Sequence, residues 1–204
     1  MDFPHVVVAR VYEHIGPIDR GDRYEDPLHD VLEKANVGRV TGGGSQLDES
    51  GGIAFADVEI ELADLDAALT LVADTLERAG APQGSELIHA SDGRVLREFG
   101  THQCLAIYLD GTGLPAEVYA DLDLDAVVDE IGAAAGTGSY RGGWQGPAET
   151  AVFFFGTDAD AMFAQVEPVL RRLPIGQNAR VVLRHGKPGL NPREVRMPKD
   201  PASG

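Results

Sequence analysis

From Val6 to Ile15 the chain mixes β-branched apolar residues with polar ones at a two-residue period, the mark of a half-buried strand. Leu28, Val31, Leu32 and Ala35 then fall at i, i+3, i+4 and i+7, one stripe of a helix that Pro27 opens. The charged stretch Glu13 to Asp26 between them reads as a loop at the sheet edge. Arg39 to Leu47 is a glycine-rich second strand and Ile53 to Leu62 a third. In the third, Val58, Ile60 and Leu62 face one way and Asp57, Glu59 and Glu61 the other. Leu65, Ala68, Leu69, Val72, Leu76 and Ala79 stripe a second helix, capped by Asp64 and stopped by Gly80. Glu86 to Ala90 is a fourth strand, and Ser91-Asp92-Gly93 turns it into a short fifth, Arg94 to Phe99.

The series then starts again. Cys104 to Leu109 predicts a strand, and Leu124, Val127, Val128 and Ile131 a helix. Gly138 to Gln145 and Ala151 to Phe155 are strands. Met162, Phe163, Val166, Val169 and Leu170 stripe a helix that Pro168 should kink or split. Arg180 to Arg184 closes the unit. Residues 38–46, GRVTGGGSQ, align with 137–145, TGSYRGGWQ, at an offset of 99. The first strands match at 98, and the residues around Asp64 and Asp158 at 94. The offset changes by five at one loop, which shortens from QLDESGGIAFA to QGPAETA. The expectation is an α+β chain of two tandem β-α-β-β-α-β units, residues 1–100 and 101–187. A Pro-rich basic tail, 188–204, follows and is expected to be extended or disordered. This element order resembles the ferredoxin-like fold, an antiparallel sheet with both helices on one face. That fold hosts many unrelated functions, so the resemblance implies no activity.

Charge sharpens the picture. The chain carries a net charge of −16. Met1 to Leu170 holds 31 acids and 9 bases, whereas Arg171 to Gly204 holds 8 bases and 2 acids. Between Glu98 and Tyr140 there are 8 acids and no Lys or Arg. Such a field repels nucleic acid and anionic lipid and attracts a basic protein; it also serves solubility alone. No apolar run approaches the ~18 residues of a membrane span. Met1 to Arg10 lacks the basic region and long apolar stretch of a secretion signal. With a single cysteine, Cys104, the expected location is the cytoplasm.

Candidate chemistry is sparse. The glycines at 42–44 and 142–143 lie between strands, without GK[ST] or GxGxxG, and read as bulges or bends rather than a phosphate loop. The six histidines show neither HxxxH nor HExxH spacing, Cys104 has no nucleophile signature, and no metal or cofactor is expected. Tyr140, Arg141 and Trp144 form the densest aromatic-plus-cation cluster. On a regular strand Tyr140 and Trp144 share a face, as a binding platform or as core. Asp121, Asp123, Asp125, Asp129 and Glu130 crowd one short helix. Its capping accounts for the first acids but not for Asp129 and Glu130.

No catalytic constellation is present. The leading expectation is a non-catalytic acidic protein that engages a basic protein partner, immunity- or adaptor-like by physical analogy, with Asp121, Asp125, Asp129 and Glu130 in the docking surface. The alternative is a small-molecule binding or sensing module, with Tyr140, Arg141 and Trp144 at a ligand site between the repeats. An enzyme built from paired ferredoxin-like units around a cavity comes third, on fold analogy alone.

Overall fold

The computed structural model describes residues 2–198. The chain divides into two compact units between His102 and Gln103. It is an α+β protein with two antiparallel five-stranded sheets, one in each unit.

The first unit runs β1 (His5–Val11), α1 (Pro17–Arg20), a π-helical turn (Gly21–Glu25), α2 (Asp26–Ala35), β2 (Gly38–Leu47), β3 (Ile53–Leu62), α3 (Leu65–Arg78), β4 (Ser85–His89) and β5 (Val95–Phe99). The sheet order is β2-β3-β1-β4-β5. Alternation decides which face is covered. Val7, Ala9 and Val11 of β1 and Val58, Ile60 and Leu62 of β3 join one core with Leu28 and Leu32 of α2 and Val72 and Leu76 of α3. Both helices therefore cover the same sheet face. Each fully buried aliphatic side chain there contributes roughly 1.5–3 kcal/mol of transfer free energy. The Asp64 side chain accepts from the Ala67 amide at 3.1 Å and so starts α3. Gly80, at φ +81, follows its end.

The second unit runs β6 (Gln103–Asp110), α4 (Ala116–Ala120), α5 (Leu124–Ala134), β7 (Ser139–Gln145), β8 (Glu149–Gly156), α6 (Ala159–Arg172), a 3₁₀ turn (Pro174–Gly176), β9 (Arg180–Arg184) and β10 (Arg193–Arg196). Its sheet order is β10-β9-β6-β8-β7. Counted within each unit, both sheets take their strands in the order second, third, first, fourth, fifth. The registers correspond too. Val7 lies opposite Ile60 and His89, while Leu105 lies opposite Phe154 and Leu183. These partners are separated by the offsets of 98 and 94 that the sequence displays. On the glycine-rich strands the correspondence moves by one residue. Gly43 faces Val58 and Gly143 faces Val152, so these two glycines hold matching places.

Three expectations change. The stretch from Pro17 to Glu25 is helical rather than a loop, and its π turn leads directly into α2. α6 runs as one helix through Pro168. Residues 193–196 of the tail form β10 and pair with β9, while 199–204 lie outside the described residues. Among the described residues, no helix is long and apolar enough to cross a membrane.

Candidate functional site

The glycines on β2 and β7 have a local cause. Each strand carries one extra residue, between Val40 and Gly42 on β2 and between Tyr140 and Gly143 on β7. Past each bulge the backbone comes close to its partner strand. A Cβ on Gly43 would sit 2.6 Å from the Asp57 carbonyl oxygen, and one on Gly143 would sit 2.7 Å from that of Ala151. Only glycine fits at either place.

The bulge on β7 also separates the aromatic cluster, because one added residue reverses the alternation beyond it. Tyr140 lies 5.7 Å from Phe154, on the helix-covered face. Trp144 packs on the opposite face, in the cluster of Cys104, Ala106, Phe153 and Phe155. The Arg141 guanidinium lies 5.4 Å from the Phe155 ring centre, on the Trp144 side. The shared face expected for Tyr140 and Trp144 is thus corrected: the three residues do not form one platform. Partial burial raises the Tyr140 pKa, and the negative charge of Asp125 adds to the rise.

The acids expected to crowd one helix are distributed over two. Asp121 is the C-cap of α4, at φ −110 and ψ 18, and is no part of α5. Asp121 and Asp125 therefore share no helical turn across which like charges at i,i+4 would repel. Asp123 caps α5, its carboxylate accepting from the Ala126 amide at 3.0 Å. Asp125 and Asp129 both lie on α5, four residues apart and exposed. Glu130 is compensated, since Arg172 of α6 donates to its carboxylate. A sequence scan misses this pair because its members are 42 residues apart.

Between α4, the start of α5 and the 3₁₀ turn lies an open groove of about 330 Å³. Val118, Leu122, Val127, Leu173, Pro174 and Ile175 give it an apolar lining, and Glu117, Asp121, Asp123 and Glu130 add carboxylates. All these acids but Glu130 come from α4 and the link to α5. The wall formed by 173–175 bears none. A second hollow of about 290 Å³ shares Leu122 and Ile175 with the first and extends to Asp110 and Tyr119. The Asp110 carboxylate is engaged there by the amides of Thr112 and Gly113 at 2.9 and 2.7 Å and by the Asn178 side chain at 2.5 Å.

Other polar clusters escape a sequence reading. Glu13 is fully buried, and its carboxylate accepts from the Tyr24 hydroxyl at 2.5 Å and from Arg23. The buried Arg20, at the end of α1, donates to Glu25 at 2.5 Å and to Ser45 at 3.1 Å. A buried charge needs such a partner. On the helix-free face of the first sheet, Arg10 forks onto Asp57 at 2.9 Å and lies 3.8 Å over the Phe55 ring. Tyr12 donates to Glu86 at 2.7 Å. In the second sheet Arg180 forks onto Glu149 at 3.1 and 2.7 Å and lies 3.8 Å over Tyr108. These groups bind one another, which suits them to fastening strands. The alternating polar positions of β1 are the one sequence signal for Arg10 and Tyr12; their partners are distant in sequence. Among the described residues no group of three or more His, Cys, Asp or Glu is placed to hold a metal ion.

No known protein family's profile matches the chain. No curated protein matches it either. Among solved structures, it is similar to a putative monooxygenase from Fusobacterium nucleatum subsp. nucleatum. Identity is 10%, with 98% of this chain and 100% of the other covered, at a TM-score of 0.31. A likeness that loose carries neither fold nor activity to this chain.

Proposed function

We propose that this protein is a non-catalytic binding protein that engages a basic protein partner through the α4–α5 side of its second unit. The observation that carries the reading is the arrangement around the groove. Glu117, Asp121 and Asp123 line one side of an apolar hollow, Asp125 and Asp129 stand exposed on α5 outside its lining, and all five fall in a stretch of sequence that holds no Lys or Arg. An apolar patch beside like charges suits a partner of opposite charge, which it steers at long range and then covers. The separation of Tyr140 from Trp144 removes the main support for a ligand platform on β7.

We also infer that the two units are copies of one ferredoxin-like β-α-β-β-α-β element, each extended by a fifth strand. The shared strand order and the matching registers at Val7 and Leu105 support this. The net charge of −16 argues against a nucleic-acid partner, and the single cysteine fits a reducing, cytoplasmic setting.

The test is affinity capture with the intact chain beside its Asp125→Asn/Asp129→Asn variant, at low and high salt. The reading expects a partner of net positive charge that the intact protein retains at low salt and the variant loses. A partner that is acidic, or that both forms retain equally at every salt concentration, would overturn it.

A further inference from the structure

Resting on the reading above, we propose that the groove beside α4 and α5 receives the apolar anchor of a basic amphipathic segment of the partner. Two properties of the groove point to that chemistry. First, its two walls differ. Glu117, Asp121 and Asp123 line the α4–α5 side, whereas Leu173, Pro174 and Ile175 line the other with no acid. A segment that lies in it meets carboxylates along one flank and hydrocarbon along the opposite one. Lys or Arg on one side and Leu- or Phe-like residues on the other complement that polarity. Second, the size is right for an anchor. About 330 Å³ is at the lower end of the ~300–1,000 Å³ of ligand-holding pockets, and the groove is open along its length. An interface anchor is a side chain held in such a hollow and ringed by polar contacts. Asp125 and Asp129 lie on α5 outside the groove lining, so they add to the negative field around it without forming its wall. An extended or helical segment can lie in an open hollow of this size; a single small cation does not fill it.

Ala126 provides the means of testing this. It lines the groove and is exposed, so Ala126→Phe occupies the hollow, removes no acid and leaves the core of α5 in place. The probes are two synthetic peptides of equal length and net charge. One is patterned from Leu and Lys as an amphipathic helix, and the other replaces every Leu with Ser. Binding to the full chain is measured by fluorescence anisotropy at low ionic strength, and backbone amide NMR shifts locate it.

We expect the Leu/Lys peptide to bind at least about tenfold more tightly than the Ser/Lys peptide, with shifts at Val118, Leu122 and Ile175. Ala126→Phe should abolish that advantage and leave Ser/Lys binding unchanged. Leu122→Ser serves as a second variant and should reduce the advantage in the same direction. An equal affinity for the two peptides, or an advantage that survives Ala126→Phe, overturns the anchor. The electrostatic reading is judged by Ser/Lys binding: if Asp125→Asn/Asp129→Asn weakens it at low salt, that reading stands without the anchor. If that binding is indifferent to the neutralisation, both fall.

Discussion

Replacing Gly43 by Ala should destabilise the first unit far more than replacing Gly44, its neighbour on the same strand. A Cβ at Gly43 meets the Asp57 carbonyl oxygen at 2.6 Å, Glu25 Oε1 at 2.6 Å and Arg20 Nε at 2.9 Å. The first of these is backbone and cannot turn aside. The other two form the Arg20–Glu25 ion pair, in which Arg20 is buried. Overpacking of this kind costs about 1–3 kcal/mol, and loss of a buried charge's partner adds to it. The expected total is about 2–4 kcal/mol. A Cβ at Gly44 would have nothing within 4 Å, and the φ of Gly44 lies outside the left-handed region. There Ala restricts the unfolded chain and should be neutral or stabilise by up to about 1 kcal/mol. Urea unfolding followed by far-UV circular dichroism measures both, with each unit's transition fitted separately. Equal midpoints for the two variants would mean that the close approach at Gly43 carries no cost. A loss at Gly43 that persists undiminished when Glu25→Ala is also present would assign the cost to the carbonyl alone.

Further outcomes follow from the same geometry. Asp123→Ala should cost about 1 kcal/mol through loss of the α5 cap, whereas Asp121→Ala should leave helix stability unchanged; thermal unfolding compares them. Asp129→Asn should stabilise α5 by a few tenths of a kcal/mol, because the like charge of Asp125 lies one turn away. Asp160 is held below its usual carboxylate range by hydrogen bonds from His185, at 2.7 Å, and from Arg193, against some desolvation. Its folded pKa is depressed, so its contribution is present above the unfolded value of 3.8 and is lost as pH falls through the lower folded value. Asp160→Asn should therefore lower stability at neutral pH and flatten its decline below about pH 4 in an acid titration.

The order of strands and helices was legible because it rests on periodicity. Val58, Ile60 and Leu62 alternate, and Val72 and Leu76 repeat at helical spacing, whatever the tertiary context. The π-helical turn was hidden because Gly21–Glu25 has no apolar stripe; its single buried tyrosine is Tyr24, held by Glu13. β10 was hidden because prolines flank it and its pairing depends on a strand already in place. The site was less legible than the fold for one reason of parity and one of length. A single extra residue on β7 sent Tyr140 and Trp144 to opposite faces; the glycines marked a bulge or bend there but not where the alternation reverses. α4 spans five residues, too few to leave a period, so Asp121 read as part of α5. The glycines did signal a bulge, and both glycine-rich strands have one.

Acids on α4 and α5 that steer a basic partner act first on the rate at which the two proteins associate. Stopped-flow mixing of the captured partner with the intact chain and with Asp125→Asn/Asp129→Asn, across a range of salt, gives that rate. The variant should associate more slowly at low salt, and the two rates should converge as salt shortens the screening length to about 8 Å and below. Equal rates at low salt, with the variant's fold intact, would contradict it.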